Sequence, residues 1–144
     1  MLANASKKSI FLINMKAYIT CPVSITHQRI LLLPELKDLL KQFEIESYIY
    51  NISGKPEDVY RHDMNILQES DLLVVEVSEP SHGVGILIGL SFQFGIKRIL
   101  LIKKGRSLSK ILYGMPDTDI LEYETKDDLK IKLQNLLSTL SKVE

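Results

Sequence analysis

Apolar residues recur along this chain in short blocks, and the spacing inside successive blocks alternates between two kinds. Ser9-Ile10-Phe11-Leu12-Ile13 is a continuous run that predicts a first buried strand. From Ile25 to Phe43 the apolar positions Ile30, Leu33, Leu36, Leu40 and Phe43 fall three and four apart, which predicts a helix that starts or kinks at Pro34. Ile45 to Ile52 predicts a second strand. Ser53-Gly54-Lys55-Pro56 is a turn, and Pro56 suits the first turn of a helix running to about Glu69. Leu72 to Val77 predicts the third strand, Val84 to Phe94 the third helix, Arg98 to Ile102 the fourth strand and Ile120 to Tyr123 a short fifth. Thr125 is placed to cap a last helix whose apolar face carries Leu129, Leu133, Leu136, Leu137 and Leu140.

Five strands separated by helices predict an α/β fold: a doubly wound, five-stranded, largely parallel sheet with helices on both faces, of the flavodoxin-like or Rossmann-like kind. Ligands of such sheets bind outside the carboxyl ends of the strands, where strand order reverses. The loops after the first and third strands are therefore expected to meet at a pocket. No repeat or linker divides residues 1–144, and the length suits one domain with a real core.

Composition narrows the function classes. Acidic and basic residues number 18 each, which leaves no electrostatic footprint for a nucleic acid polymer or an anionic membrane. The longest charge-free run, Pro80 to Ile96, holds four glycines and reads as a buried helix rather than a membrane span. The single cysteine, Cys21, excludes an intrachain disulfide and fits a reducing compartment; it reads as a small buried or loop residue. A soluble cytoplasmic protein is the expectation. His27, His62 and His82 are scattered, so no metal site is expected, and no motif calls for a cofactor.

The densest signal lies at residues 70–85, where an apolar strand enters the turn Ser81-His82-Gly83-Val84-Gly85. Ser81 and the backbone of Gly83 and Gly85 are placed to hold a phosphate at a helix N-terminus; an N-cap serine with turn glycines is the plainer alternative. Asp63 lies on the preceding helix, where a carboxylate could reach the cleft, although a solvated helix acid is the more economical reading of that residue alone. His62 is adjacent and turned away on a helix. Glu76 interrupts an apolar strand and needs either a hydrogen-bond partner or an exposed strand end. Gly105-Arg106-Ser107-Leu108-Ser109 offers hydroxyls and a base after the fourth strand, as a phosphate contact or as a solvated loop.

Ser70-Asp71-Leu72-Leu73-Val74-Val75-Glu76-Val77 followed by Pro80-Ser81-His82-Gly83-Val84-Gly85 resembles the 2'-deoxynucleoside 5'-phosphate N-hydrolases, within the nucleoside 2-deoxyribosyltransferase-like superfamily. The resemblance reaches upstream to Asp63, continues through Lys97-Arg98-Ile99-Leu100 and resumes at Gly105 to Gly114, so it covers roughly the second half of the chain. It implies a homodimer that cleaves the N-glycosidic bond of a deoxynucleoside 5'-monophosphate. It also implies a glutamate at the anomeric carbon, an aspartate at the sugar and base, and serines on the 5'-phosphate. By position Asp63 matches the aspartate, Ser81, Gly83 and Gly85 the phosphate turn, and Ser109 the serine contributed across the dimer.

Two departures stand out. The family's turn continues Gly-Val-Gly-Tyr-Glu-Leu-Gly, whereas this chain reads Gly83-Val84-Gly85-Ile86-Leu87-Ile88-Gly89, so Leu87 occupies the glutamate's position. The first strand is expected to end at Asn14-Met15-Lys16, with Met15 replacing a small or hydroxyl residue on the opposite lip. Three functions stay open: a catalytically degenerate nucleotide-binding protein, an N-glycosidase or deoxyribosyltransferase whose acid has moved to Glu76 or Glu79, and an interaction protein retaining only the fold. The third helix is apolar nearly all round, which predicts cover by a second subunit.

Overall fold

The computed structural model describes residues 14–23, 27–50 and 53–141. Its strands are β1 (Lys16–Thr20), β2 (Glu46–Ile49), β3 (Leu72–Glu76), β4 (Lys97–Lys103) and β5 (Thr118–Tyr123). They form one sheet in the order β2-β1-β3-β4-β5, and every pair is parallel. The helices are α1 (Leu33–Lys41), α2 (Pro56–Glu69), α3 (His82–Gln93), the single turn α4 (Lys110–Tyr113) and α5 (Lys126–Ser141). A 3-10 segment, His27–Leu32, leads into α1. Pro34 falls in the first turn of α1, where its missing N–H leaves nothing unpaired, so it starts the helix and does not kink it.

Side-chain alternation along the strands builds two apolar layers. Ala17, Ile19, Leu72, Val74, Ile99 and Leu101 face α1 and α5, where Leu36, Leu40, Leu129, Leu133 and Leu137 meet them. Tyr18, Leu73, Val75, Leu100 and Ile102 face α2 and α3, where Leu67, Val84, Leu87 and Ile88 meet them. Each such fully buried aliphatic side chain contributes roughly 2 kcal/mol of transfer free energy. The helix ends are set locally. Ser81 Oγ accepts from Val84 N (3.3 Å) at the start of α3, and Thr125 Oγ1 accepts from Asp128 N (3.1 Å) at the start of α5. After α3, Gly95 takes φ +71°, a left-handed position that only glycine adopts without strain.

One expected element cannot be compared with the described residues. The apolar run at residues 9–13 lies outside the described residues, and the first described strand begins at Lys16. Its polar groups sit at places that do not oppose burial. Lys16 starts the strand, where its backbone N donates to Asp71 Oδ2 (3.0 Å), and the Tyr18 hydroxyl finds a carboxylate across the layer. Met15 therefore precedes the strand and is buried in the core at 2% exposure; it is not on a lip of the cleft. Thr20, Cys21 and Pro22 stand at the carboxyl end instead.

Far from that end, Arg98 is 1% exposed, and its hydrogen-bond partners among the described residues are hydroxyls and backbone carbonyls. Its Nε donates to Thr118 Oγ1 (2.8 Å). Its terminal nitrogens donate to the carbonyls of Ile96 (2.7 Å) and Pro116 (2.5 Å) and to Ser91 Oγ (3.2 Å). The guanidinium also lies 5.5 Å from the centre of the Phe92 ring. Burial holds its pKa below the ordinary value. Arg98 thus ties the end of α3, the start of β4 and the turn into β5. Arg98→Ala strips several buried acceptors of their donor and is expected to destabilise the fold by about 3 kcal/mol, read as a lowered urea midpoint with unchanged slope.

Candidate functional site

Strand order reverses at β1, and the loops after β1 and β3 leave the sheet there in opposite directions. Two adjoining cavities open at this point. The inner one, about 50 Å³, is walled by Thr20 and Cys21 after β1, Tyr50 after β2, and Ser81, Gly83, Val84 and Leu87 of α3 and its cap. The outer one, about 400 Å³, runs between α2 and α3 past Val59, Tyr60, Met64 and Ile86. Tyr50, Asp63, Gly83 and Leu87 line both. The inner space suits one or two waters or a small polar group; the outer one falls within the ordinary range for small-molecule sites.

Asp63 is the chemical centre of this cleft. It projects inward from α2, is 7% exposed, and accepts a hydrogen bond from the Tyr18 hydroxyl (2.7 Å). Burial pushes its carboxyl above the usual range, while the Tyr18 bond and the nearby His62 hold it partly down. The Tyr18 hydroxyl is pushed strongly upward, first by its own burial and then by Asp63, so it stays a proton donor. Tyr50 is also raised, by burial and by the Asp63 charge. A carboxyl so placed can donate or accept one proton at the ligand through its second oxygen. Asp63 is therefore not the solvated helix acid that the residue alone suggests, whereas His62 is exposed as expected.

The other expected residues divide. Gly83 lines both cavities and Ser81 the inner one, where Ser81 also caps α3, so the plainer reading of that hydroxyl holds alongside any ligand contact. Gly85 is exposed and lines neither cavity, and Ser109 is exposed at the start of α4, outside both. Cys21 is a buried loop residue in the inner wall. Glu76 is fully buried, and its Oε1 accepts from Ser78 N (2.5 Å). Strand alternation sets it on the face of Val74, opposite the Val75 and Val77 layer that packs on Leu87. Neither Glu76 nor Glu79 lines the cleft. Among the described residues no cluster of three or more His, Cys, Asp and Glu is arranged to hold a metal ion, and no helix is long and apolar enough to cross a membrane.

Tyr18 is the partner of Asp63 that pattern reading missed. A tyrosine in a buried strand looks like core, and only the fold shows its hydroxyl meeting a carboxylate 45 positions away. The adjacency of Thr20 and Cys21 to the cleft was hidden for a related reason: β1, the first strand among the described residues, carries a lysine, a tyrosine and a threonine among its five residues.

Known proteins bear on this geometry. No protein-family model matches the chain. In sequence it is similar to the rat 5-hydroxymethyl-dUMP N-hydrolase, 33% identical over 76 residues, which are 51% of this chain and 47% of that protein. A Methanosarcina barkeri protein assigned as a 2'-deoxynucleoside 5'-phosphate N-hydrolase is 37% identical over 76 residues, 51% of this chain and 48% of that one. The chain thus spans about half the length of these curated relatives. A Thermofilum pendens protein with the same assignment is 28% identical over 139 residues, 85% of this chain and 95% of that protein. In fold, a Clostridium botulinum CMP N-glycosidase superposes with a TM-score of 0.71 at 20% identity, over 84% of this chain and 98% of that one. A 2-deoxyribosyltransferase from Bacillus psychrosaccharolyticus gives 0.59 at 15%, over 80% and 90%. The chain thus shares its fold with the N-glycosidase and the deoxyribosyltransferase, and its sequence is similar to proteins named as N-hydrolases of deoxynucleotides.

The electrostatics make a pH prediction. Because the folded carboxyl of Asp63 binds its proton more tightly than the unfolded one, the folded state carries the extra proton between the two pKa values. Stability is therefore highest below the ordinary value of 3.8 and falls as pH rises from there through the elevated folded value. Asp63→Asn is expected to remove this fall from the pH profile of the denaturant midpoint. Tyr18→Phe deletes the bond that favours the carboxylate and is expected to extend the fall to higher pH; an unchanged profile in both variants would refute the coupling.

Proposed function

We propose that this chain binds a 2'-deoxynucleoside 5'-monophosphate in the Asp63 cleft and does not cleave its glycosidic bond by the two-carboxylate route. The observation that carries this reading is that Asp63 is the one carboxylate among the described residues lining the two cavities. Leu87, 4% exposed, lines both beside it. Cleavage at an anomeric carbon ordinarily employs two carboxyl groups, one protonating the leaving group and one opposing the oxocarbenium-like charge. Leucine does neither. The names of the sequence relatives, all N-hydrolases of deoxynucleotides, support the choice of ligand class. A relocated acid finds less support, because Glu76 lies on the other face of the sheet and Glu79 lines neither cavity.

In this reading the N-terminus of α3, with Ser81 and Gly83, faces the 5'-phosphate, Gly85 supports the approach of that turn, and Asp63 orients the sugar or base. Ser109 reaches a phosphate only from a neighbouring copy. A homodimer is part of the same proposal. Along the outer side of α3, Gly85, Gly89 and Phe92 form one exposed line, and a Cβ built on either glycine would meet nothing within 4 Å. The monomer does not need these glycines for space, and glycine inside a helix costs about 1 kcal/mol relative to alanine. Close approach of a second helix accounts for them. Leu90 and Phe94 continue the apolar surface towards Tyr60 and Met64 in a groove of about 710 Å³ between α2 and α3.

Two measurements test these statements. Chromatography of deoxynucleotide and ribonucleotide mixtures is expected to show no base release above the uncatalysed background, while calorimetric titration shows deoxynucleotide binding. Robust release, abolished by Asp63→Ala, would overturn the degenerate reading. Sedimentation at micromolar concentration is expected to show a dimer. Gly89→Leu is expected to dissociate it while leaving the monomer's thermal stability equal or higher; a Gly89→Leu protein that stays dimeric would sink the α3 interface.

A further inference from the structure

We propose that the outer edge of β2 is a second contact between copies of this chain, in which two β2 strands pair antiparallel about Ser47 and join their sheets edge to edge. The hydroxyl of Ser47 carries the argument. Ser47 is 4% exposed, and its Oγ has no hydrogen-bond partner among the described residues. A buried hydroxyl left in that state costs the full desolvation of the group, so the atom calls for a partner. Ser47 lines a groove of about 490 Å³ that runs between the outer flank of α1 and β2, past Lys37, Asp38, Lys41, Glu44, Glu46 and Tyr48.

The backbone beside it points the same way. Glu46 N donates to Met15 O (3.1 Å) and Tyr50 N to Ile19 O (3.0 Å), so these residues, and Tyr48 between them, turn their backbone groups to β1. Ser47 and Ile49 turn theirs away from β1, and β2 is the last strand on that side among the described residues. Ile45 also faces outward; its N–H is donated to Leu40 O (3.1 Å), which leaves its carbonyl for pairing. An antiparallel copy centred on Ser47 meets each of these groups. The two Ser47 residues exchange N–H···O=C bonds, and the Ile49 N–H of each copy reaches the Ile45 carbonyl of the other. Facing Cβ atoms in such a pair stand about 5.5 Å apart, which lets the two serine hydroxyls bond to each other.

The flanks fit the same symmetry. Glu46 comes to lie opposite the partner's Tyr48, a carboxylate facing a phenol. α1 packs over β1 and β2, so the two-fold sets the two copies of α1 about 10 Å apart, the spacing of packed helices. The facing flanks carry both signs of charge, Lys37 and Lys41 with Asp38, which suits a second copy better than a ligand of one sign. Charges beside a sheet edge elsewhere serve to block pairing. Here the residues whose backbone faces outward, Ile45, Ser47 and Ile49, are uncharged.

The strand has only four residues, so the contact is small and its Kd is expected on the order of 100 μM. The test is sedimentation of the full chain at about 10 μM and about 500 μM. The mass is expected to rise most of the way to twofold, from dimer towards tetramer, or from monomer towards dimer in Gly89→Leu, so failure of the α3 interface does not hide the result. Amide exchange at Ser47 and Ile49 is expected to slow by at least about threefold over the same range. Ser47→Pro removes the outward N–H and the hydroxyl but no bond to β1, and is expected to abolish the rise. Ser47→Ala removes the hydroxyl alone; it is expected to weaken association by about threefold or more while leaving thermal stability at the lower concentration equal or higher. A mass that does not rise, a rise untouched by both substitutions, or a rise seen only in a chain lacking residues 1–13 overturns the proposal.

Discussion

The position of β1 in the middle of the sheet is the constraint from which the rest follows. The chain leaves β1 to lay β2 on one side, then crosses back to lay β3 on the other. Parallel crossovers are right-handed, so a reversal in direction along the sheet moves the connecting helix to the opposite face. α1 accordingly packs on one layer, and α2 and α3 on the other. The two loops that leave β1 and β3 diverge, and the gap between them cannot be filled by sheet or helix. The cleft is a product of topology before any side chain is chosen, and the Tyr18–Asp63 bond then joins β1 to α2 across its inner side.

Most of that topology was legible. Alternating strand and helix periods, Pro56 at the start of α2, Ser81 and Thr125 as caps and the leucine face of α5 all appear where the pattern put them. These signals are local, carried by spacing within a few turns. The run at residues 9–13 lies outside the described residues, and β1 itself, Lys16–Thr20, escapes an apolar-run criterion because its polar atoms are paired. The burial of Asp63 was not legible for a different reason. Nothing in its sequence neighbours, Arg61, His62 and Asn65, distinguishes an acid facing solvent from one facing a cleft; only the packing of α2 on β1 does so.

Two buried acids near the same edge of the sheet illustrate how face decides role. Glu76 ends β3 on the side of α1 and α5, where Ser78 N meets its carboxylate directly and the chain turns back on itself. Ser78 in turn accepts from Lys103 N (2.8 Å), fastening the ends of β3 and β4. That is a structural use of charge, with the backbone as partner. Asp63 has a neutral hydroxyl as partner, and burial outweighs the bond in setting its proton affinity. The Glu76 carboxyl serves as an acceptor for the backbone. A carboxyl held by a tyrosine in an apolar wall keeps access to both forms, which is the property a ligand site uses.

Leu87 gains meaning from this contrast. A glutamate there would face Asp63 within one small, poorly hydrated space, and two carboxyls so close cannot both ionise without strain on the fold. An enzyme accepts that strain because the second charge is needed when positive charge develops on the sugar. Leu87 brings no such repulsion and belongs to the same apolar cluster as Val84, Ile88, Val75 and Leu100. A leucine at this position also keeps the cavity wall apolar, in line with the burial that raises the proton affinity of Asp63. In the proposed reading, an apolar wall beside Asp63 and the lack of a second carboxyl among the described lining residues go together, and both suit holding a ligand intact.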